Sequence, residues 1–272
     1  MIIRRVTVGV DGSLNSVRAL DRAAEEAARR TAALEIVYAV PDLDVAGPVL
    51  VSAAARVRAR HPGLPITTLP VAGNAAAVLA TRARDATLTV VGCRSFGGLA
   101  GAAFGSVSRR LASFAGGPLL VVRGDGAPRP YGEVLLVLDR EPRTGATAYA
   151  LEEAELRGAW LRTLRTSAHQ HVVPVPMAHE RLGSSASRLP ADDASARAAG
   201  EPQPRALTKT RQATGAPQTL LEATRTADVV VIARRHGAGA RGRQLGSVAH
   251  TLLHRSHCPV LIVPVTERRC RV

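Results

Sequence analysis

Aromatic side chains make up only 3% of this 272-residue chain, cysteine occurs three times and lysine once. The shortage of aromatics removes the stacking platforms on which single-strand nucleic-acid binders rely. It also leaves the cores to Val, Leu, Ile and Ala, which the 46% hydrophobic content supplies. Three scattered cysteines (Cys93, Cys258 and Cys270) form no disulfide framework and suit a reducing compartment, the cytoplasm. No apolar run approaches the ~18 residues needed to span a bilayer, so no membrane is expected. The opening residues Met1 to Asp11 enter a strand pattern at once, without the apolar stretch of a signal peptide.

Because Lys209 is the only lysine, 35 of the 36 basic residues are arginine. That bias looks more like a coding composition than a selected binding surface, although the formal charge is +14. The excess is shared: residues 1–127 carry 15 basic and 9 acidic side chains, and 128–272 carry 21 and 13. With no basic tail, the balance reads as a solvated arginine-rich surface that attracts polyanions weakly. Nucleic acid is not the expected partner.

What the chain does have is a repeat. The segment from Leu88 to Val122 aligns without a gap to Val229 to Val263, 141 residues later, with eleven of 35 positions identical. Gly105/Gly246, Ser106/Ser247, Val107/Val248 and Pro118/Pro259 are among them. In each copy an apolar strand runs into a loop, Gly-Ser opens a helix, and Pro leads into a last strand. Upstream, strands are expected at Arg5 to Asp11, Leu34 to Val40 and Ile66 to Val71. Helices are expected from about Val17, over 49–60 and over 74–85, with Ser13 or Asn15 capping the first. This alternation predicts α/β modules with doubly wound parallel sheets. The division is a module at 1–125, a linker at 126–131 and a module at 132–267. Thirteen extra residues in the second copy are placed in a mobile surface loop near 177–205.

Doubly wound sheets take ligands at the carboxyl ends of their strands, near the switch point. In the first module four features meet there: Asp11 with Gly12 and Ser13, the strand end at Tyr38-Ala39-Val40, the loop from Gly92 through Arg94 and Ser95, and Gly105-Ser106-Val107-Ser108. Glycines let backbone N–H groups approach a phosphate. Ser106 at a helix start adds a hydroxyl and the positive end of the helix dipole, and either Ser106 or Ser108 is expected to reach a terminal phosphate.

Val8-Gly9-Val10-Asp11-Gly12-Ser13, the loop from Gly92, Gly105-Ser106-Val107-Ser108 and the closing Gly117-Pro118-Leu119-Leu120-Val121-Val122-Arg123 resemble the universal stress protein family, as a tandem pair over almost the whole chain. The resemblance implies two five-stranded parallel-sheet modules of the adenine-nucleotide α-hydrolase-like kind, in three α/β/α layers. It also implies pairing through the last strand, here between the two modules or in a homodimer. Members that bind ATP carry Gly-x2-Gly-x9-Gly-Ser/Thr, which lands here on Gly92, Ser95, Gly105 and Ser106. Ser95 therefore replaces the second glycine. The resemblance places adenine at backbone near Ala39, Asp11 close to the nucleotide, and phosphates, with Mg, on Gly92, Gly105, Ser106 and Ser108. In the second module the pattern lands on Ala233, His236, Gly246 and Ser247, and Arg140-Glu141-Pro142 follows Asp139. That module is expected to be a structural partner with a degenerate site.

Other constellations carry less. His250, His254, His257 and Cys258 have zinc-like spacing, but their counterparts Arg109, Ser113, Gly116 and Gly117 are not ligands, and no metal is expected. Cys258 is expected half-buried, and Cys93 in the loop. Glu152-Glu153-x-Glu155 reads as a solvated helix face. No general base stands beside Ser106, so catalysis is at most slow ATP hydrolysis. The expected function is a stress-response protein holding ATP as a regulatory ligand. The alternatives are a nucleotide-free module working with an unknown protein partner, a slow ATPase and a nucleic-acid binder.

Overall fold

Each apolar run in the first copy becomes a strand and each 3.6-period run a helix: β1 (Arg5–Gly9), α1 (Leu14–Arg29), β2 (Ala33–Val40), α2 (Ala46–Arg60), β3 (Ile66–Ala72), α3 (Ala75–Arg82), β4 (Leu88–Gly92), α4 (Ser106–Phe114) and β5 (Leu119–Val122). The second copy supplies β6 (Glu133–Asp139), α5 (Thr144–Arg157), β7 (Trp160–Thr166), β8 (Thr208–Thr210), α6 (Pro217–Ala223), β9 (Val229–Arg234), α7 (Ser247–Arg255) and β10 (Val260–Pro264). The structure, a computed structural model, describes residues 4–93, 105–123, 131–139, 144–166, 208–210, 217–234 and 246–264. The loop expected near 177–205, most of the linker, and Arg94, Ser95, Arg140 and His236 lie outside the described residues.

The two five-stranded units are fused into one ten-stranded sheet, ordered β3-β2-β1-β4-β5-β10-β9-β6-β7-β8. Pairing is parallel within each unit and antiparallel at the seam, where Leu119, Leu120 and Val121 face Ile262, Leu261 and Val260. These central strands are apolar throughout because helices cover both of their faces. Helices α1, α2 and α5 pack on one face and α3, α4, α6 and α7 on the other. Both cores cross the seam, through Leu120 and Leu261 on the first face and Val121 and Val260 on the second. Arg123, just past β5, reaches over the seam and donates to the Leu253 carbonyl near the end of α7.

A buried ionic network joins the modules on the first face. On α1, Glu26 has no solvent exposure and Arg22 and Arg30 are buried; on α5, so is Glu153. Arg30 donates to both Glu26 and Glu153, and Arg157 answers with bonds to Glu153 and, at 2.5 Å, to Glu26. Arg22 and Arg29 approach Glu26 at 3.2 and 3.1 Å. Burial alone would raise the Glu26 carboxyl, but Arg157, Arg30, Arg22 and Arg29 together hold it below the ordinary carboxylate range. The expected solvated face is thus corrected: Glu152 and Glu155 are exposed, but Glu153 is one turn-phase away and faces α1. The arginine surface is corrected likewise, since several of these guanidiniums are core components.

Where the chain leaves the linker, the Asp228 carboxylate accepts from the backbone N–H of Tyr131, Gly132 and Glu133 at 2.6, 3.0 and 3.3 Å. This clamp sets the start of β6 against β9. Asp228→Ala is expected to cost about 1–3 kcal/mol, the scale of amides left without an acceptor. Urea denaturation checks it, and an unchanged midpoint would show the clamp to be idle.

Candidate functional site

At the carboxyl ends of β1 and β4, where the strand order reverses direction, the first module opens a cleft of about 340 Å³. That lies within the range of about 300–1,000 Å³ for small-molecule pockets. Of the residues expected at the site, Asp11, Ser13, Ala39, Gly92, Gly105, Ser106, Val107 and Ser108 line it. Gly12 and Val40 are adjacent in sequence but are not part of the lining. Arg94 and Ser95 lie outside the described residues. The wall also includes residues the sequence reading did not place at the site, chiefly Val37, Leu79 and Val91, with Asn15 and Ser16 from α1. Val37 and Ala39 share one face of β2, two residues apart. Among the described lining residues, Asp11 is the one ionisable side chain.

The Asp11-Gly12-Ser13 turn starts α1. Asp11 Oδ1 accepts from the Ser13 N–H at 3.0 Å and from its hydroxyl at 2.5 Å. Gly12 takes φ +76°, which disfavours any side chain there. Ser13, not Asn15, is the helix cap: its Oγ accepts from the Ser16 N–H at 3.2 Å. The Ser13 hydroxyl thus gives its proton to Asp11 and accepts from Ser16.

Gly92 is needed for packing. A Cβ there would lie 2.4 Å from the Asn15 carbonyl oxygen, so only glycine lets the first turn of α1 sit on the end of β4. The Gly92 carbonyl in turn accepts from Ser108 Oγ at 2.8 Å, and Ser108 is buried. That bond fastens α4 to β4 beneath the cleft.

The start of α4 is different. Gly105 is the cap residue at φ −53°, ψ 140°, with no side chain to satisfy the helix N–H groups. The first helical bond runs from Arg109 N to Gly105 O, so the amides of Ser106, Val107 and Ser108 have no helical acceptor. Ser106 is exposed beside them. Open amides, an exposed hydroxyl and the positive end of the helix dipole meet at the cleft, an arrangement suited to an anion.

The two described cysteines are structural. Cys93 is buried, not in an open loop, and its N–H extends the sheet by donating to Val122 O at 3.0 Å. Burial raises its thiol pKa, against Arg123 and a bond from the Gly105 N–H. Cys258 is buried, beyond the half-burial expected, and its thiol is pushed up to about 11, chiefly by that burial. The rings of His250 and His254 stack with centroids 4.2 Å apart. Among the described residues no group of three side chains is arranged to hold a metal.

A doubly wound sheet with a cleft at the switch point of its first copy, duplicated and joined through the last strands, defines a tandem α/β protein. Within that class the chain belongs to the universal stress protein family, whose model matches residues 3–123 and again 130–264. A universal stress protein of Mycobacterium tuberculosis is 29% identical over 296 residues, covering 94% of this chain and 96% of that protein. One from Mycolicibacterium smegmatis is 28% identical over 283 residues, covering 95% and 96%. The crystal structure of a universal stress protein from Archaeoglobus fulgidus shares the fold, with a TM-score of 0.67 at 13% identity over 96% of this chain and 98% of that one. No helix among the described residues is long and apolar enough to cross a membrane.

Proposed function

We propose that the first-module cleft binds an adenine nucleotide, ATP with Mg, as a regulatory ligand. The observation that carries this reading is the uncapped start of α4, which turns three backbone amides and the exposed Ser106 toward the cleft. The resemblance supplies adenine as the base and the backbone near Ala39 as its neighbour. Ala39 and the apolar wall of Val37, Leu79 and Val91 suit a flat, uncharged ring. Asp11 is the lining carboxylate that would hold a Mg ion beside the phosphates, and such an ion would offset their charge. Phosphate recognition rests on the amides of Ser106, Val107 and Ser108 and on the Ser106 hydroxyl, with Gly92 and Gly105 shaping the wall.

Regulation is favoured over hydrolysis. Asp11 already holds the Ser13 turn through Oδ1, and no other described lining group is an acid or base placed to activate water. The second module keeps Gly246 and Ser247 at an uncapped α7, but Ala233 stands where Gly92 does, and no second nucleotide is assigned to it.

The test is calorimetric titration of the full chain with ATP, beside Gly105→Asp. Saturable binding that the substitution removes supports the reading. Absence of heat at millimolar ATP, together with no nucleotide released on denaturing the purified protein, would overturn it.

A further inference from the structure

The charge of this protein is not spread evenly over its two helical layers. Helices α1, α2 and α5 together carry seven arginines and six carboxylates. On that layer Arg56 and Arg60 pair with Asp21 at 2.7 and 3.1 Å, and Arg22, Arg29 and Arg157 belong to the buried network, while Arg58 is exposed. On the opposite layer, α4 carries Arg109 and Arg110 and α7 carries His250, His254 and Arg255, and neither helix has a carboxylate. The three arginines are exposed and make no ion pair among the described residues. The difference between the layers lies in the carboxylates, six on α1, α2 and α5 against none on α4 and α7; the neighbouring α6 carries Glu222, which pairs with Arg225 at 3.1 Å.

Both helices pack their buried leucines on the core that carries Val121 and Val260, a pair of residues facing each other at the seam between modules. The repeat puts Arg109 opposite His250 and Phe114 opposite Arg255 in the pseudo-symmetric pair. Phe114 is half exposed at the end of α4, four residues after Arg110 and so on the same stripe of the helix.

We infer that the α4–α7 face docks an acidic segment of a partner protein, with Phe114 as the apolar contact. Charge complementarity selects the occupant. Guanidinium groups form paired hydrogen bonds with carboxylates, and arginine and phenylalanine are enriched in protein interfaces. Duplex nucleic acid fits less well, because its binding typically draws on about 6–10 phosphate contacts and this face offers three arginines. The inference does not depend on nucleotide binding, since none of these side chains lines the cleft.

The experiment uses the full chain and a fluorescent peptide of Glu-Glu-Glu-Leu repeats, followed by anisotropy, with a duplex DNA of equal charge in parallel. Arg109→Glu/Arg110→Glu is compared with Arg58→Glu/Arg165→Glu, which changes net charge equally at exposed sites elsewhere. Peptide affinity is expected to fall about tenfold in the α4 variant and less than about twofold in the control. Phe114→Ala is expected to weaken the peptide about threefold without changing the salt dependence. Equal losses in both charge variants, or none in either, would overturn the inference. So would DNA binding tighter than the peptide and lost in the same α4 variant.

Discussion

Glu26→Gln is expected to destabilise the folded chain by on the order of 3–5 kcal/mol at neutral pH. The carboxylate is wholly buried and faces four guanidiniums, from Arg22, Arg29, Arg30 and Arg157. Removing its charge leaves Arg30 and Arg157 in the interior with Glu153 as their remaining buried anion. The acid dependence follows from the direction of the shift. The folded carboxyl is held below its ordinary value of 4.5, so its contribution is complete above that pH and is lost as pH falls through the lowered folded value. The stability gap between wild type and variant is therefore widest at neutral pH and narrows on acidification below 4.5. Urea denaturation at neutral pH and at about pH 3 measures both. A gap under about 1 kcal/mol at neutral pH would show that water reaches the network. Glu153→Gln acts on the same arginines, and the double substitution is expected to fall short of the sum of the two.

That network also marks the limit of what the chain reveals before folding. The bounds of β4, α4 and β5 were legible, because an ungapped internal copy makes the apolar runs and the Gly-Ser helix start mutually confirming. Pairing of the modules through β5 and β10 came from the family resemblance alone, since apolar runs covered on both faces do not say which strand edge meets which. Glu153 was not legible. A Glu-x3-Arg pair on a helix reads as solvent-facing ion pairing whenever the neighbouring helix is unknown. One signal was present: Glu26-x3-Arg30 recurs 127 residues later as Glu153-x3-Arg157. Two helices bearing the same pair in antiparallel, two-fold apposition satisfy each other reciprocally, as Arg30 and Arg157 do here. The cleft divides in the same way. Its rim is polar and turn-forming and could be named, whereas Val37, Leu79 and Val91 sit in patterns identical to those of core residues, because a wall facing a cavity and a wall facing a helix have the same alternation.

The two glycines at the cleft are expected to fail in opposite ways, and that contrast tests whether the site is a phosphate cradle or only a packing solution. Gly92→Ala would put a methyl 2.4 Å from the Asn15 carbonyl oxygen and 2.8 Å from its carbon. Both are backbone atoms, so the first turn of α1 must move off β4, at a cost of about 1–3 kcal/mol, and the cleft deforms with it. Gly105→Asp meets a backbone at φ −53°, ψ 140° that L-residues adopt freely, at the cap of a helix with no side-chain acceptor. Its carboxylate can accept from the open amides of α4, so thermal stability is expected to hold or rise by a few tenths of a kcal/mol. The same carboxylate occupies the place proposed for phosphate and repels it, so ATP affinity is expected to fall by about a hundredfold or more. Thermal denaturation and ATP titration of both variants separate the effects. If Gly105→Asp kept its stability and still bound ATP like the wild type, the phosphates would not lie on α4, and the regulatory-nucleotide reading would lose the geometry it rests on.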